Sequence, residues 1–388
     1  MEFLKTELDS LRKTDLYRQL KWFEGPQSPR TTVNGRNCIL LSSNNYLGLT
    51  DHQQVKDAAL KAVVRWGTGS GGSRLISGNF LLYKELEEKI AQFKNTEEVI
   101  VFSSGYLTNI GTISSLVGPE DAVFSDELNH ASIIDGCRLS RSRVVIFDHK
   151  DMQQLERALS ETQDCRRRLV ITDGVFSMDG DLAPLPEIVA LAEKYNAFVM
   201  VDDAHATGIF GSRGTGTVEH FNLEGKVAVQ VGTLSKALAS CGGYVTGKSD
   251  LINYLRNKAR SFIYSTGLPP AAVGSAIAAV DIIREEPEIR ARLFDNATFL
   301  REGLARLGFT ILTRESQIIP ILVGDDSLTM AMDKALFERG IFVTGIRPPS
   351  VPPGTSRLRV SVMATHTRED LEEVLNVFES AGRETGLI

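Results

Sequence analysis

The chain has 388 residues, of which 42% are hydrophobic and 24% are charged, and its net charge at pH 7 is −6. A chain of this length and composition can bury a large core and is long for a single domain. The acidic balance provides no basic surface for a nucleic acid or a membrane, so we expect neither as a partner. No stretch reaches the roughly 20 apolar residues that a membrane-spanning helix needs.

The four cysteines are widely separated and form no CxxC pair; they are Cys38, Cys137, Cys165 and Cys241. This spacing predicts neither a disulfide framework nor a zinc site, and it is typical of a protein from a reducing compartment. The N-terminal segment MEFLKTELDSLRKTDLYRQLKW has scattered charges and an apolar stripe at helical spacing. It predicts an amphipathic helix rather than a signal peptide. We therefore expect a cytoplasmic protein without a bound metal.

Short apolar runs alternate with helical patterns such as LYKELEEKIAQF and PLPEIVALAEKYN through the middle of the chain. The runs are Val99–Phe102, Ala122–Phe124, Val144–Phe147, Leu169–Thr172, Phe198–Val201 and Ala228–Val231. They are apolar on both faces, as strands buried between layers of helices are. Alternating strands and helices predict an α/β fold with a mostly parallel sheet and right-handed crossovers.

The pattern changes after about residue 285. A long polar helix, IRARLFDNATFLREGLARLG, precedes short predicted strands around Ile318–Val323, Ile341–Val343 and Leu358–Val362. This part of the chain indicates a smaller α+β domain. We therefore divide the chain into an N-terminal helix with short strands (1–45), a large domain (46–285) and a small C-terminal domain (286–388).

The polar residues that follow the predicted strands are the candidates for a ligand site, because open α/β sheets bind ligands beyond the carboxyl ends of their strands. The segment SSGYLTNIG follows the first run and contains Ser104, Gly105 and Tyr106. Small residues at a strand-to-helix turn leave N–H groups free at a helix N-terminus, which suits a phosphate. An ordinary loop has the same composition, so this segment does not by itself define a site.

Two further strand ends carry candidate polar residues. The segment SDELNHASIIDG contains His130, and DGVFSMDGDLAPL contains Ser177. A histidine that packs in the core and a turn rich in aspartate and glycine explain these segments equally well.

The last two strand ends favour chemistry over packing. Asp202 closes an apolar strand and His205 follows it in DDAHATG. A buried carboxylate needs a partner, and it can hold a proton on a heterocyclic nitrogen. A metal site is the alternative for this pair, but no further ligands follow at a suitable spacing.

In GTLSKALASCGGYV, Thr233 and Ser235 offer hydroxyls, and Lys236 can form a Schiff base. Phosphate donors, a carboxylate and an amine at successive strand ends together indicate a pyridoxal 5′-phosphate site.

Several stretches resemble the α-oxoamine synthases, a family of fold-type I pyridoxal-phosphate enzymes. They are SSNNYLGL, GTGSGGSRLISG, SGYLTNIG, DELNHASIIDG, DGVFSMDGDLAPL, VDDAHATG, GTLSKALASCGGYV, FIYSTGLPP and IRPPSVPPGTSRLRVS. The resemblance runs nearly from end to end. It implies a large domain with a mostly parallel seven-stranded sheet between helices and a smaller C-terminal α+β domain.

The resemblance also implies roles for the cofactor residues. Lys236 carries the cofactor as a covalent aldimine, Asp202 pairs with the ring nitrogen, and His205 and Ser177 contact the phenolic oxygen. His130 stacks on the ring and also faces the substrate. The residues implied at the phosphate end are Ser104, Gly105, Tyr106, Thr233 and, from the neighbouring subunit, Thr266. A homodimer with sites at its interface is therefore expected.

For the substrates, the resemblance implies that Arg18 lies near the entrance and Asn44 near the reacting centre. It implies that Arg359 binds the substrate carboxylate, for which a planar guanidinium is well matched. Ser350 stands where some relatives have threonine, and either residue supplies a hydroxyl. The implied activity is an acyltransferase reaction of biotin biosynthesis. L-Alanine condenses with a pimeloyl thioester of coenzyme A or acyl carrier protein, and CO2 and the thiol are released.

Alternatives remain open at this point. Other members of the family join glycine to acetyl-CoA or succinyl-CoA, or serine to palmitoyl-CoA. A fold-type I aminotransferase would return the amino group from the cofactor, and nothing local in the sequence excludes it. A non-catalytic subunit of a heteromeric synthase would lack the Schiff-base lysine, which is present here as Lys236.

Overall fold

The computed structural model describes residues 1–13 and 17–388. The first part of the chain forms α1 (Phe3–Lys13), β1 (Arg30–Val33), β2 (Arg36–Leu40), a 3₁₀ turn (Leu49–Asp51), α2 (Gln53–Trp66) and α3 (Leu81–Lys94). The middle forms β3 (Glu98–Phe102), α4 (Gly105–Leu116), β4 (Ala122–Asp126), α5 (Ala131–Ser140), β5 (Arg143–Phe147), α6 (Met152–Ser160), β6 (Arg168–Asp173), α7 (Leu185–Lys194), β7 (Phe198–Asp202), α8 (Thr217–His220), β8 (Val229–Thr233) and β9 (Gly243–Gly247). The last part forms α9 (Ser249–Lys258), α10 (Arg260–Ile263), α11 (Pro270–Glu285), α12 (Glu288–Arg306), β10 (Thr310–Ile311), β11 (Ile318–Gly324), α13 (Asp326–Glu338), β12 (Ile341–Phe342), β13 (Thr344–Ile346), β14 (Ser356–Ser361) and α14 (Arg368–Thr385).

The central sheet has seven strands in the order β3-β9-β8-β7-β6-β4-β5. The pairs from β8 to β5 are parallel, and β9 runs antiparallel to both of its neighbours. This arrangement confirms the predicted mostly parallel sheet between helices. The carboxyl ends of β4, β6, β7 and β8 therefore lie along one edge of the sheet, where the predicted polar residues follow them.

One prediction about the strands was wrong. Strand β5 was expected to be buried on both faces, but Val144 is 39% exposed and Ile146 is 65% exposed. The reason is its place at the edge of the sheet, where it pairs with β4 alone. Phe147, on the opposite face, is buried in a cluster with Leu155 of α6. The helical layer thus covers only one face of this strand.

Two smaller sheets accompany the central one. Strands β10-β11-β14-β13 form a four-stranded antiparallel sheet, and β1-β2-β12 form a three-stranded sheet. Strand β12 comes from the C-terminal part of the chain, yet it pairs in parallel with β2. The N-terminal strands and the C-terminal part therefore share a sheet. The division at residues 45/46 and 285/286 stays a prediction.

Apolar contacts join these layers. Helices α2, α3 and α11 pack on the central sheet through a large buried cluster that continues into β11, β14, α12 and α14. A second cluster lies under α4, α9 and α10, and a third under α6 and α7. In the described part of the chain, no helix combines the length and apolar character that crossing a membrane demands.

Candidate active site

The N-terminus of α4 forms one end of the site. Ser104 caps the helix, and its Oγ accepts a hydrogen bond from the Leu107 N–H at 3.1 Å. The N–H groups of the first helical turn have no acceptor within the helix and face a place suited to an anion. A Cβ on Gly105 would lie 3.3 Å from Thr233 Oγ1, so a side chain there would crowd this approach. Thr233 is buried at the end of β8, and its hydroxyl donates to the Gly242 carbonyl at 2.9 Å.

A buried carboxylate lies at the end of β7. Asp202 is 5% exposed. Its Oδ2 accepts a hydrogen bond from Asn109 Nδ2 at 2.7 Å, and its Oδ1 accepts one from the Ala204 N–H at 2.9 Å. Both donors are neutral groups. A buried carboxylate of this kind strongly favours a protonated nitrogen on a bound heterocycle.

The amine of Lys236 lies 2.8 Å from Nε2 of His205. Burial lowers the pKa of Lys236 to about 8, although Asp202 and Asp173 act in the opposite direction. Burial and the nearby Lys236 charge hold the pKa of His205 well below its usual range. At a pKa of about 8, roughly a tenth of Lys236 is the free amine at pH 7, the form in which it can act as a base, and His205 is a neutral imidazole.

His130 stands at the start of α5, on the open side of the site. Its Nδ1 lies 2.7 Å from Ser132 Oγ, and its backbone N–H donates to Asp173 Oδ2 at 2.9 Å. Burial lowers the pKa of His130. Burial and the Asp202 charge raise the pKa of Asp173 well above its usual range. Asp173 and Asp202, at the ends of β6 and β7, therefore interact electrostatically.

These side chains line one cavity of about 270 Å³. Nine of the predicted cofactor residues border it: Ser104, Gly105, Tyr106, His130, Ser177, Asp202, His205, Thr233 and Lys236. The parallel strands bring them together because their carboxyl ends meet at the same edge of the sheet.

Of the predicted substrate residues, His130 lines this cavity, whereas Arg18, Asn44, Ser350 and Arg359 do not. Arg359 is hydrogen bonded to the lining residue Ser177, and Asn44 is hydrogen bonded to Arg359. Arg359 Nε donates to the Ser177 carbonyl at 2.6 Å, and its Nη2 donates to Asn44 Oδ1 at 3.1 Å. Arg18 and Ser350 lie exposed on the surface. The roles implied for these residues stay predictions.

Thr266 is exposed and lies outside the cavity of its own chain. Its carbonyl accepts a hydrogen bond from Ser103 Oγ at 2.9 Å, and it forms a bridge with Ser73.

Residues that the sequence reasoning missed complete the site. Asn109 holds Asp202 from the second turn of α4, and the helical spacing from Gly105 could have indicated this. Tyr46 is fully buried, and its hydroxyl lies 2.7 Å from Nδ1 of His205. Gln317 donates from Nε2 to the His205 carbonyl at 3.0 Å. Tyr46 lies in SSNNYLGL, two residues after the predicted Asn44, and this motif could have indicated it. Gln317 directly precedes β11, outside the central sheet, and no pattern at the ends of the central strands indicates it.

The loop that carries Ser177 is anchored by His149, which follows β5. His149 Nδ1 lies 2.9 Å from Asp126 Oδ1, and its Nε2 lies 2.9 Å from Asp181 Oδ2. Although burial opposes it, hydrogen bonding and charge attraction from the two carboxylates raise the pKa of His149 to about 9. The charged imidazole thus bridges β4 to the loop from Ser177 to Asp181.

This bridge predicts a pH-dependent contribution to stability. The folded-state pKa of His149, about 9, exceeds the ordinary value of 6.5. Its contribution is therefore fully present below about pH 6.5 and is lost as the pH rises through 9. We expect His149→Gln to lower the free energy of unfolding by roughly 2–4 kcal/mol at pH 6 and by much less at pH 9.5. Urea unfolding at both pH values measures this, with His220→Gln as control. A difference that is constant between the two pH values would contradict a charged bridge.

The cavity fits pyridoxal phosphate in each part that the structure allows to be tested. At one end is the N-terminus of α4, where Gly105 has no side chain to obstruct a phosphate. The cavity also contains the Asp202 carboxylate, hydrogen bonded only to neutral donors, and the Lys236 amine, whose pKa is lowered toward neutrality. In the described ranges, no group of three or more His, Cys, Asp or Glu is arranged to hold a metal ion. The fold and this site define a fold-type I pyridoxal-phosphate enzyme.

The comparisons with known proteins identify the group within this class. Residues 36–378 match the model of the aminotransferase class I and II family. The 8-amino-7-oxononanoate synthase of Thermoanaerobacter pseudethanolicus is 48% identical over 389 residues, covering 100% of this chain and 98% of that protein. The synthase of Symbiobacterium thermophilum is 50% identical over 388 residues, covering 100% and 99%. The chain belongs to the aminotransferase class I and II family and, within it, to the 8-amino-7-oxononanoate synthases.

Solved structures show the same fold. A serine palmitoyltransferase of Sphingomonas wittichii is 36% identical, with a TM-score of 0.95 and coverage of 99% of this chain and 98% of the other. Another structure with these values is described as having a pyridoxal-phosphate internal aldimine. An 8-amino-7-oxononanoate synthase of Francisella tularensis is 27% identical, with a TM-score of 0.78 and coverage of 90% and 99%.

Proposed function

We propose that this chain catalyses the decarboxylative condensation of L-alanine with a pimeloyl thioester, giving 8-amino-7-oxononanoate, CO2 and the free thiol in biotin biosynthesis. The observation that carries the proposal is the Lys236 amine, held at 2.8 Å from a neutral His205 in the same cavity as the buried Asp202. The nearly 50% identity to 8-amino-7-oxononanoate synthases over the full length supports the choice of substrates.

Pyridoxal phosphate, when bound, supplies an electron-withdrawing ring that stabilises negative charge on the α-carbon of the amino acid. Lys236 would hold the cofactor and, once released by the incoming amino acid, would move the proton at the alanine α-carbon. Its pKa of about 8 suits both removal and return of that proton near neutral pH. Asp202 would keep the ring nitrogen protonated, because a buried carboxylate stabilises the positive charge there.

The remaining cavity residues would bind and orient. Ser104, Gly105, Tyr106 and Thr233 would hold the phosphate, and Ser177 and His205 would contact the phenolic oxygen. His130 would cover the ring from the open side and exclude water from the α-carbon. Asn44, Arg359, Arg18 and Ser350 would contact the substrates. Of these four, Asn44 and Arg359 join the cavity through hydrogen bonds.

The substrate assignment is tested by a matrix of four amino acids against four acyl thioesters, with thiol release as the measurement. Alanine, glycine, serine and threonine are combined with pimeloyl-, acetyl-, succinyl- and palmitoyl-CoA. We expect the pair of alanine and pimeloyl-CoA to have the highest kcat/KM. Pimeloyl-acyl carrier protein, assayed in parallel, decides between the two donors. Fastest turnover of serine with palmitoyl-CoA would replace the proposal with a serine palmitoyltransferase activity, in line with the structural similarity.

Arg359 is proposed to bind the alanine carboxylate from the centre of the four-stranded sheet, where it is 7% exposed. Arg359→Lys keeps the positive charge but loses the planar fork that a carboxylate matches. We expect the KM for alanine to rise about 10- to 100-fold, as the loss of a charge-assisted hydrogen bond predicts. The KM for the pimeloyl thioester is the internal control. A rise confined to the thioester KM would assign Arg359 to the other substrate.

We also propose a homodimer in which Thr266 reaches the phosphate end of the neighbouring site. Thr266 is exposed, and three large apolar side chains in its segment and in the segment that bridges to it are also exposed: Leu75 is 54%, Ile76 84% and Tyr264 71% exposed. Ser73, which precedes Leu75 and Ile76, bridges to Thr266. A single subunit would not leave such a patch uncovered without a cause, and a second copy would bury it.

A cytoplasmic location is proposed as well, and the free thiols of the four cysteines support it.

A shared site predicts complementation between two defective variants. Lys236→Ala and Thr266→Ala subunits are unfolded together, mixed in equal amounts and refolded. In a hybrid dimer both defects fall into one site and the other site is intact, so we expect about a quarter of the parent activity at random pairing. Each variant refolded alone is the control. If the mixture is no more active than the sum of its components, Thr266 does not serve the partner's site.

A further inference from the structure

A chain of hydrogen bonds leads from Lys236 into the protein. His205 Nε2 lies 2.8 Å from Lys236 Nζ, and His205 Nδ1 lies 2.7 Å from the Tyr46 hydroxyl. The Tyr46 hydroxyl lies 2.9 Å from Asn44 Oδ1. Arg359 Nη2 donates to Asn44 Oδ1 at 3.1 Å and to the Tyr46 oxygen at 3.4 Å. Tyr46 is 0% exposed and His205 is 6% exposed, so protein groups set the partners of the phenol and of Nδ1.

Counting protons fixes the direction of this chain when Lys236 is an ammonium group. An ammonium can only donate, so Nε2 of His205 must accept. A neutral imidazole carries one proton, which then resides on Nδ1 and is donated to the Tyr46 oxygen. The Tyr46 proton is left for Asn44 Oδ1, which lies within reach. Every donor along the chain then has an acceptor.

The hydrogen bonds of this chain can also run in the opposite direction when Nε2 of His205 faces a hydrogen-bond acceptor. Nε2 then carries the proton, and Nδ1 offers a lone pair. The Tyr46 hydroxyl can rotate to donate to Nδ1, while Arg359 still donates to Asn44 Oδ1 and to the Tyr46 oxygen. The imidazole proton is then on the other ring nitrogen and the phenolic proton points the other way, but no heavy atom has to move.

We propose that Tyr46 is a positioning residue whose hydroxyl adapts to either tautomer of His205. When the free Lys236 ammonium lies at Nε2, the Tyr46 hydroxyl accepts a hydrogen bond from Nδ1. When an anionic oxygen lies at Nε2, the Tyr46 hydroxyl donates a hydrogen bond to Nδ1. The second state rests on the proposed function, in which His205 contacts the phenolic oxygen of the cofactor. Tyr46 therefore acts through His205 and touches no reacting atom. A rigid donor or acceptor in its place would serve only one of the two states.

The test is the tautomer of His205, read from the ¹⁵N shifts of histidine-labelled protein with and without cofactor at pH 7. In the parent protein we expect Nδ1 to be protonated without cofactor and Nε2 to be protonated with it. In Tyr46→Phe, Nδ1 loses its partner, and an unpaired buried N–H is costly. We expect the Nε2-protonated form to gain about tenfold in the cofactor-free protein, so that cofactor binding changes the signals less than it does in the parent.

Tyr244→Phe is the matched control. Tyr244 is also 0% exposed, but its hydroxyl contacts Thr207 Oγ1 at 2.9 Å rather than a histidine. Loss of this hydroxyl should leave the His205 signals as in the parent. Asn44→Leu is a second test that keeps Tyr46 and removes its alternative acceptor. It should shift the cofactor-free protein toward Nε2 protonation, and it serves if Tyr46→Phe does not fold.

Three results would overturn the inference: one tautomer in both forms of the parent, parent-like switching in Tyr46→Phe, or an equal effect of Tyr244→Phe. The substrate matrix is independent of these measurements. A protein that condenses alanine but shows no switch retains the proposed function and loses the role of Tyr46. A protein that shows different ¹⁵N signals in the two forms but condenses nothing retains the tautomer switch and loses the reaction.

Discussion

Replacing Lys236 with alanine is expected to abolish condensation while leaving the fold intact. We expect thiol release to fall at least about 10⁴-fold, because the variant loses both the covalent attachment of the cofactor and the base at the α-carbon. Burial already lowers the pKa of this lysine, so its charge does not stabilise the folded state. The free energy of unfolding should therefore change by no more than about 1 kcal/mol.

The measurements are thiol release with alanine and pimeloyl-CoA, and peptide mapping after borohydride reduction of the cofactor-loaded protein. The reduced cofactor should be found on the peptide that contains Lys236 in the parent and on no peptide in the variant. Lys248→Ala, an exposed lysine at the start of α9, is the matched control and should keep the parent activity. Label on another lysine, or appreciable turnover by Lys236→Ala, would remove the basis of the proposed function.

The second large effect distinguishes two adjacent aspartates. Asp202→Asn should lower kcat about 10²- to 10³-fold, because an amide does not stabilise the positive charge on the ring nitrogen. The fold should tolerate the change. Asn109 Oδ1 has no hydrogen-bond partner, so rotation of the Asn109 amide can present this oxygen to the new amide group.

Asp203→Asn should have the opposite effect: it should lower the free energy of unfolding rather than kcat. Asp203 Oδ2 lies 3.2 Å from Lys94 Nζ, and both side chains are almost completely buried. Removing one partner leaves an uncompensated buried charge, so the free energy of unfolding should fall by about 3–5 kcal/mol. Denaturant unfolding and kcat are measured for both variants. If Asp202→Asn unfolds as easily as Asp203→Asn and keeps its kcat, the assignment of the two residues is reversed.

The sequence predicted much of the fold because strand burial and strand ends have local signatures. Six apolar runs became strands of the central sheet, and nine predicted residues at their ends border one cavity. The pattern failed where the position within the sheet matters. An apolar run does not show whether it becomes a central or an edge strand, so Val144 and Ile146 were wrongly expected to be buried. The pattern of apolar runs also did not predict strand β9, because only a short apolar segment follows the glycines at 242 and 243.

The sequence by itself determined the class of chemistry: a lysine, a carboxylate and small residues at successive strand ends suffice to indicate a pyridoxal-phosphate site. Only the tertiary structure decided how these groups are tuned. The contact of Tyr46 with His205 spans 159 positions in the chain, and that of Arg359 with Asn44 spans 315. Burial and charge, which lower the pKa of Lys236 and raise that of His149, likewise depend on groups that folding brings together. Local patterns encode strands and turns, whereas protonation states depend on distances across the fold.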